Sequence, residues 1–143
     1  VLDGVQDPGN VGTIWRTADA AGVGGLLMSA ACADPFSPKV QRAAMGSGFR
    51  VPVSMTDDLV GALEALKARG YSVIASSLHG APFYENAPRG GRFALVIGNE
   101  ARGVSEAVME AAEVRLKLPM RGGAESLNAA VAAGIMMYEL TRD

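Results

Sequence analysis

Three stretches of the sequence place carboxylate, amide and guanidinium groups beside glycine. That combination lets polar side chains and backbone N–H groups meet a ligand at close range. In Val5–Gly22 (VQDPGNVGTIWRTADAAG), Asp7-Pro8-Gly9 makes a turn, Asn10 opens a helix, and Gly12 removes a side chain from its first turn. Such a helix start can approach an anion or a cofactor, although an Asn-capped strand–turn–helix connection with an exposed Arg16 accounts for the same residues. In Phe93–Ser105 (FALVIGNEARGVS), an apolar run ends in Gly98-Asn99-Glu100. This puts a carboxylate at the carboxyl edge of a strand, where α/β folds bind ligands; the plainer alternative is a solvated Glu on a glycine turn. In Leu116–Gly134 (LKLPMRGGAESLNAAVAAG), Pro119 ends a strand, Gly122-Gly123 loosens a loop, and Ser126 and Asn128 stand at the start of an apolar helix. Ser126 serves equally as an ordinary N-cap. Asn128 is harder to explain, because an amide on an apolar helix is costly to bury without partners.

The elements that must hold these groups alternate between strand and helix patterns, as in an α/β fold with a largely parallel sheet. Short apolar runs predict strands at Val1–Val5, Gly25–Ser29, Tyr71–Ser76 and Phe93–Ile97, with Glu113–Leu118 a further candidate. Tyr71–Ser76 and Phe93–Ile97 are continuous rather than alternating, as expected of strands covered on both faces. Phe49–Met55 is a further short strand, and Pro52 assigns it to an edge. Asn10 caps a predicted helix over Val11–Ala21 that stops at Gly22. Val11, Ile14, Trp15 and Ala18 form its buried stripe, and Arg16 projects from nearly the opposite side. Asp57–Arg69 repeats the pattern, with Leu59, Leu63 and Leu66 inward and Gly70 as the stop. The last helix, about Ser126–Thr141, is apolar nearly all round and belongs deep in the core or against a partner subunit.

The 143 residues suit one domain, 1–143, with a single core. Hydrophobic residues make up 49% and charged residues 20%, which excludes a disordered chain. No apolar run is long enough for a membrane span, and no basic-then-apolar leader is seen, so the expectation is a cytoplasmic protein. One cysteine, Cys32, and one histidine, His79, exclude a disulfide and a Cys-rich metal site, and no metal is expected. The net charge of −2 argues against a uniformly basic nucleic-acid binder but permits local clustering. Trp15, Cys32 and the seven Met are assigned to packing. The start at Val1, strand-like at once and without an initiator Met, suggests a piece of a longer polypeptide.

The N-x-G-x-x-x-R-T-A of Asn10–Ala18, the I-G-N-E-x-x-G of Ile97–Gly103 and the L-P-M…E-S-L-N of Leu118–Asn128 occur in order. Together they resemble the three signature motifs of the SpoU (TrmH-like) family within the SPOUT methyltransferase superfamily. Ser37–Val53 (SPKVQRAAMGSGFRVPV) resembles the family's segment between its second and third strands, so the likeness covers the whole chain. Ala129-Ala130 departs from the Val-Ser that often follows the motif asparagine. Members commonly carry an N-terminal RNA-binding extension that is not among these residues.

The resemblance implies a mostly parallel α/β sheet with a C-terminal trefoil knot, a homodimer built on the last helix, and S-adenosylmethionine as cofactor. It implies methylation of a ribose 2′-oxygen in tRNA or rRNA. By motif, Arg16 stands at the 2′-hydroxyl with Asn10, Glu100, Ser126 and Asn128 around the reacting centre. Backbone groups near Leu78 and His79, at Gly98, and along Leu118, Met120 and Leu127 would hold the cofactor. Arg16 is a general base on one view. Because guanidinium keeps its proton, the alternative is that it orients phosphate and stabilises charge on the 2′-oxygen, held in turn by Glu100. His79 is the other candidate base. Arg16, Lys39, Arg42, Arg50, Arg102 and Arg121 form a candidate RNA-facing patch. A Rossmann-type enzyme predicts G-x-G-x-x-G after the first strand, which DPGNVG (Asp7–Gly12) does not match. A non-catalytic RNA-binding or dimerisation module of the same fold would be expected to have lost Arg16, Glu100 or Asn128, and all three are present.

Overall fold

The computed structural model describes residues 1–143. Along the chain the elements are β1 (Leu2–Asp3), α1 (Pro8–Ala21), β2 (Leu26–Ser29), α2 (Pro38–Ala44), a 3-10 turn (Ser47–Phe49), β3 (Val53–Thr56) and α3 (Leu59–Ala68). They continue with β4 (Tyr71–Pro82), α4 (Phe83–Asn86), β5 (Arg92–Gly98), α5 (Glu106–Ala111), β6 (Val114–Lys117) and α6 (Ala129–Leu140). The six strands form one sheet in the order β3-β2-β1-β5-β4-β6, and every neighbouring pair is parallel. The expected α/β class and the expected edge position of the strand after Pro52 both hold.

Strand periodicity explains the continuous apolar runs. Ile74, Leu95 and Ile97 join the larger core with α1, α2 and α6, whereas Val73, Ala75, Ala94 and Val96 join the smaller one with α3 and α5. Trp15 is buried in the larger core and its indole Nε1 donates to Val51 O at 2.9 Å. Cys32 is buried in the same core, its Sγ donating to Leu2 O. The assignment of all methionines to packing fails at Met45 and Met55, which are exposed.

Several boundaries move for identifiable reasons. Helix α1 starts at Pro8, not Val11: Asp7 is the N-cap, its carboxylate accepting from Gly9 N and Asn10 N, and Pro8 occupies the first turn, where no N–H is needed. Asn10 is therefore inside the helix, and its side chain is free for other work. Helix α6 starts at Ala129 with Asn128 as the N-cap, so Ser126 caps nothing. The stretch Phe49–Met55 divides into a 3-10 turn and β3. Pro52 lies between them, and its carbonyl accepts from Leu26 N at 2.9 Å. Strand β4 runs past Ser76 to Pro82, because Ser77–Gly80 loops out while both Ser76 and Ala81 pair with Leu116. No helix is long and apolar enough to cross a membrane.

Candidate active site

The sheet changes direction at β1. Successive strands β1, β2 and β3 run outward on one side, and β5, β4 and β6 lie on the other. Such a switch opens a crevice at the carboxyl ends of the two strands that flank it. Here those ends lead to Gln6-Asp7 and to Asn99-Glu100.

Glu100 spans that crevice. Its Oε1 accepts from Gln6 N at 3.1 Å, and its Oε2 accepts from Asp7 N at 2.8 Å and from Asn10 Nδ2 at 3.2 Å. Burial pushes its carboxyl up, but the hydrogen bonds from Asp7, Gln6, its own backbone N–H and Asn10 outweigh this and hold it below the ordinary carboxylate value. Asn10 Oδ1 in turn accepts from Asn128 Nδ2 at 3.1 Å. Asn128 Oδ1 caps α6 by accepting from Ala130 N at 2.8 Å and Val131 N at 3.1 Å. A relay Glu100–Asn10–Asn128 thus joins the three sequence stretches, and it fixes both amide orientations. The amide that looked expensive at the head of an apolar helix has every polar atom employed there.

Arg16 is exposed on α1 and makes no hydrogen bond or ion pair, so Glu100 does not hold it as expected; the carboxylate is committed to Asn10 and the entry to α1. On helical geometry Arg16 lies about 9 Å further along the axis than Asn10. It is on the outward face, between the side that meets α2 through Gly12 and the side where Thr17 meets Gly134 of α6. Ser126 is exposed, two residues from the relay, and forms no hydrogen bond.

The groups expected to hold a cofactor gather at the carboxyl ends of three adjacent strands. Leu78 and His79 are exposed on the β4 excursion, Gly98 ends β5, and Leu118 follows β6. Leu118 is buried, Met120 packs partly against the core, and Leu127 is 39% exposed. Backbone N–H and C=O groups from Leu118 to Leu127 make no hydrogen bond within the protein. They are free for the edge of a purine, beside apolar side chains for its faces, so the donor set fits an adenosyl group. Gly80 and Gly98 are fixed by crowding: a Cβ on Gly80 would stand 2.6 Å from the Arg115 backbone, and one on Gly98 would stand 2.1 Å from Gly103 and Val104.

Two positioning residues were not singled out in the sequence. Asn99 donates from Nδ2 to Gly4 O at 2.8 Å, and its Oδ1 accepts from Ala101 N and Arg102 N, which shapes the loop carrying Glu100. Asp7 is the cap already described. An amide directly after a strand-ending glycine was the available signal for Asn99. A cavity of about 590 Å³ lies elsewhere, at the amino ends of the strands between Val1, Leu26, Tyr71 and Phe93. Its walls are mostly apolar, and none of the motif polar groups reaches it. No cluster of three or more His, Cys, Asp or Glu is arranged to hold a metal.

Glu100→Gln keeps one acceptor oxygen but turns an NH2, which cannot accept, toward the remaining donors, and is expected to lower stability by no more than about 1 kcal/mol at this exposed position. The sign in pH follows from the lowered folded-state value. The wild-type contribution is complete above the ordinary 4.5 and fades as pH falls below it. Tm profiles of the two proteins should converge in acid, and parallel profiles would contradict the relay.

A profile of the SpoU rRNA Methylase family matches residues 1–138. The chain is 44% identical over 140 residues to the 23S rRNA (guanosine(2553)-2′-O)-methyltransferase RlmP of Bacillus subtilis, covering 98% of this chain and 56% of that protein. A structure of a putative RNA methyltransferase of the TrmH family from Porphyromonas gingivalis superposes with a TM-score of 0.89 at 41% identity, over 97% of this chain and 57% of that one. The SpoU methyltransferase AviRb from Streptomyces viridochromogenes, in complex with the cofactor AdoMet, gives 0.91 at 33% identity, over 99% and 58%. The chain thus spans a little over half the length of these relatives. Motifs, sheet order and relay coincide with a match across nearly every residue, and the chain belongs to the SpoU rRNA methylase family.

Proposed function

We propose that residues 1–143 form the S-adenosylmethionine-binding catalytic domain of an RNA ribose 2′-O-methyltransferase acting on rRNA. The observation that carries the reading is the Glu100–Asn10–Asn128 relay, which brings three separate motif segments to the crevice at the β1/β5 switch. The choice of rRNA over tRNA rests on the 44% identity to the Bacillus 23S rRNA enzyme.

When bound, S-adenosylmethionine supplies an electrophilic methyl group on a sulfonium. Leu78, His79, Gly98, Leu118, Met120 and Leu127 would hold it, chiefly through backbone groups. Arg16 is free of protein partners and presents a planar cationic fork, so it orients the substrate phosphate and stabilises negative charge gathering on the 2′-oxygen. Asn10, fixed by Glu100 and Asn128, holds α1 in register with the cofactor loop, and Ser126 stands at that loop's end. Proximity and orientation, rather than covalent chemistry by the protein, supply most of the acceleration. The reading also includes a trefoil knot, in which the segment after about Glu100 threads back through a loop. The direct test is transfer of label to 23S rRNA against tRNA, with the product mapped as a 2′-O-methyl nucleotide. Methylation of a base would overturn it.

Binding of the demethylated cofactor product is expected to raise Tm. At about 100 times Kd the linkage amounts to about 2.7 kcal/mol. A folded protein whose Tm does not move at saturating product would remove the cofactor assignment.

The same reading includes a homodimer. Val131, Ile135 and Tyr138 form an exposed apolar stripe on α6 while Ala130, Ala133, Met136 and Met137 face the core. Ile135→Asp is expected to shift sedimentation from dimer to monomer, with little change in the fold because Ile135 is outside the core. Wild-type protein that sediments as a monomer would contradict the dimer.

A further inference from the structure

The surface of α2 and the turn after it holds the least buried large apolar side chains of the protein. Phe49 is 93% exposed, Phe36 is 70% exposed and Met45 is 63% exposed. None supports the core, which takes Val40 and Ala44 from the same segment. Phe36 stands just before α2 and Phe49 just beyond it, and the outward positions between them are Lys39 and Arg42, both exposed and without an ion pair. Arg50 follows Phe49 but is engaged by Asp19 at 2.7 Å.

Charge is segregated on this segment. Between Asp34 and Asp57 no acid occurs, and three cations do; the rest of the chain carries ten cations and fifteen acids. A net-acidic protein therefore has one stretch, residues 35–56, without an acid of its own; Asp34 and Asp19 bond at its margins, and between them two exposed rings flank two free cations. Exposed rings on either side of free cations suit unpaired nucleotides, whose bases stack while their phosphates pair with Lys and Arg. Duplex RNA keeps its bases stacked inside the helix and has no use for an exposed ring.

This stretch is docked onto the candidate active site. A Cβ at Gly12 would lie 2.4 Å from Ala43 and 2.6 Å from Val40 O, so α2 packs directly on the backbone of the second turn of α1. Arg16 is on the neighbouring outward face of that same helix. We infer that the Phe36–Lys39–Arg42–Phe49 ridge is a stacking platform for single-stranded RNA next to the nucleotide presented to Arg16. The substrate segment is then unpaired: a loop or bulge rather than a continuous duplex. This rests on the function proposed above and names the substrate class of that site.

Phe49→Trp gives the decisive readout, because the only native tryptophan, Trp15, is buried. An unstructured oligoribonucleotide of about 12 nucleotides, within the range of site sizes for such surfaces, is expected to quench the new fluorophore saturably. A blunt RNA duplex of equal length is expected not to. Phe49→Ala should raise the Kd for the single strand about tenfold, Phe36→Ala somewhat less, and Lys39→Ala should flatten the salt dependence by about one phosphate contact. Affinity for S-adenosylmethionine should be unchanged in each, and the exposure of both rings keeps the variants folded. Unaltered RNA affinity in Phe49→Ala, or equal quenching by duplex, overturns the platform while leaving the proposed function in place. Unaltered RNA affinity with changed self-association in sedimentation makes the ridge a protein contact and also overturns it. A wild-type protein that binds neither cofactor nor RNA overturns the function itself.

Discussion

Arg16→Ala is expected to lower the rate of methyl transfer by at least about 10²–10³-fold, the range for loss of one donor aimed at a developing oxyanion. Affinity for S-adenosylmethionine should stay within a factor of about two, an effect well under 1 kcal/mol. The separation follows from geometry. Arg16 is exposed on the outward face of α1, while Val11, Ile14, Trp15 and Ala18 form its buried side, so truncation leaves no cavity. The groups assigned to the cofactor lie at the carboxyl ends of β4, β5 and β6 and along residues 118–127, and none is hydrogen-bonded to the Arg16 side chain. Arg16→Lys is the sharper probe. Lysine keeps the charge but not the planar fork that can hold a phosphate and a 2′-oxygen together. If Arg16→Lys keeps most of the wild-type rate, charge alone suffices and the orienting role is wrong. If Arg16→Ala stays active, the residue has no part in the reaction.

What was legible in the sequence follows from how local each signal is. The strands announced themselves as apolar runs, and the double-sided burial of β4 and β5 could be read from their lack of alternation. The buried stripe of α1 was equally plain. The helix starts were misplaced because several polar residues could cap, and tertiary structure chose among them. Asp7-Pro8 and Ser37-Pro38 share one signature, a capping side chain followed by proline in the first turn. Reading it would have moved the start of α1 and revealed α2. The Ser77–Gly80 excursion had one signal, an isolated glycine in a strand pattern. Asn10, Glu100 and Asn128 stood out by type, but their hydrogen bonds cross 90 and 118 residues of sequence, and no local pattern encodes such pairings. The same limit explains why Glu100 was expected beside Arg16. Phe49 looks like core material in any hydropathy reading, and only the fold shows that it faces outward.

Gly98→Ala is expected to be the most damaging small change to the structure, with a loss of about 3 kcal/mol, at the upper end of ordinary overpacking. For a chain of this size that amounts to a fall in Tm on the order of 10 °C. The added Cβ would stand 2.1 Å from both Gly103 C and Val104 N and 2.5 Å from Gly103 O, so the obstacle is backbone and cannot rotate away. That backbone is itself tied: Asn99 N donates to Gly103 O at 3.0 Å and Gly103 N to Asn99 O at 2.8 Å. Relief requires opening this pair, which moves the loop holding Glu100 and with it the carboxylate on which Gln6, Asp7 and Asn10 converge. The variant should therefore lose cofactor affinity and activity together, unlike Arg16→Ala. Gly103→Ala supplies the contrast: no atom lies within 4 Å of its Cβ, so only its left-handed φ of +73° is penalised, and a smaller loss of about 1 kcal/mol is expected. Thermal melts of the two variants decide the matter. Equal losses would mean that backbone conformation, not the close approach of Gly98 to the 103–104 peptide, holds the loop in place.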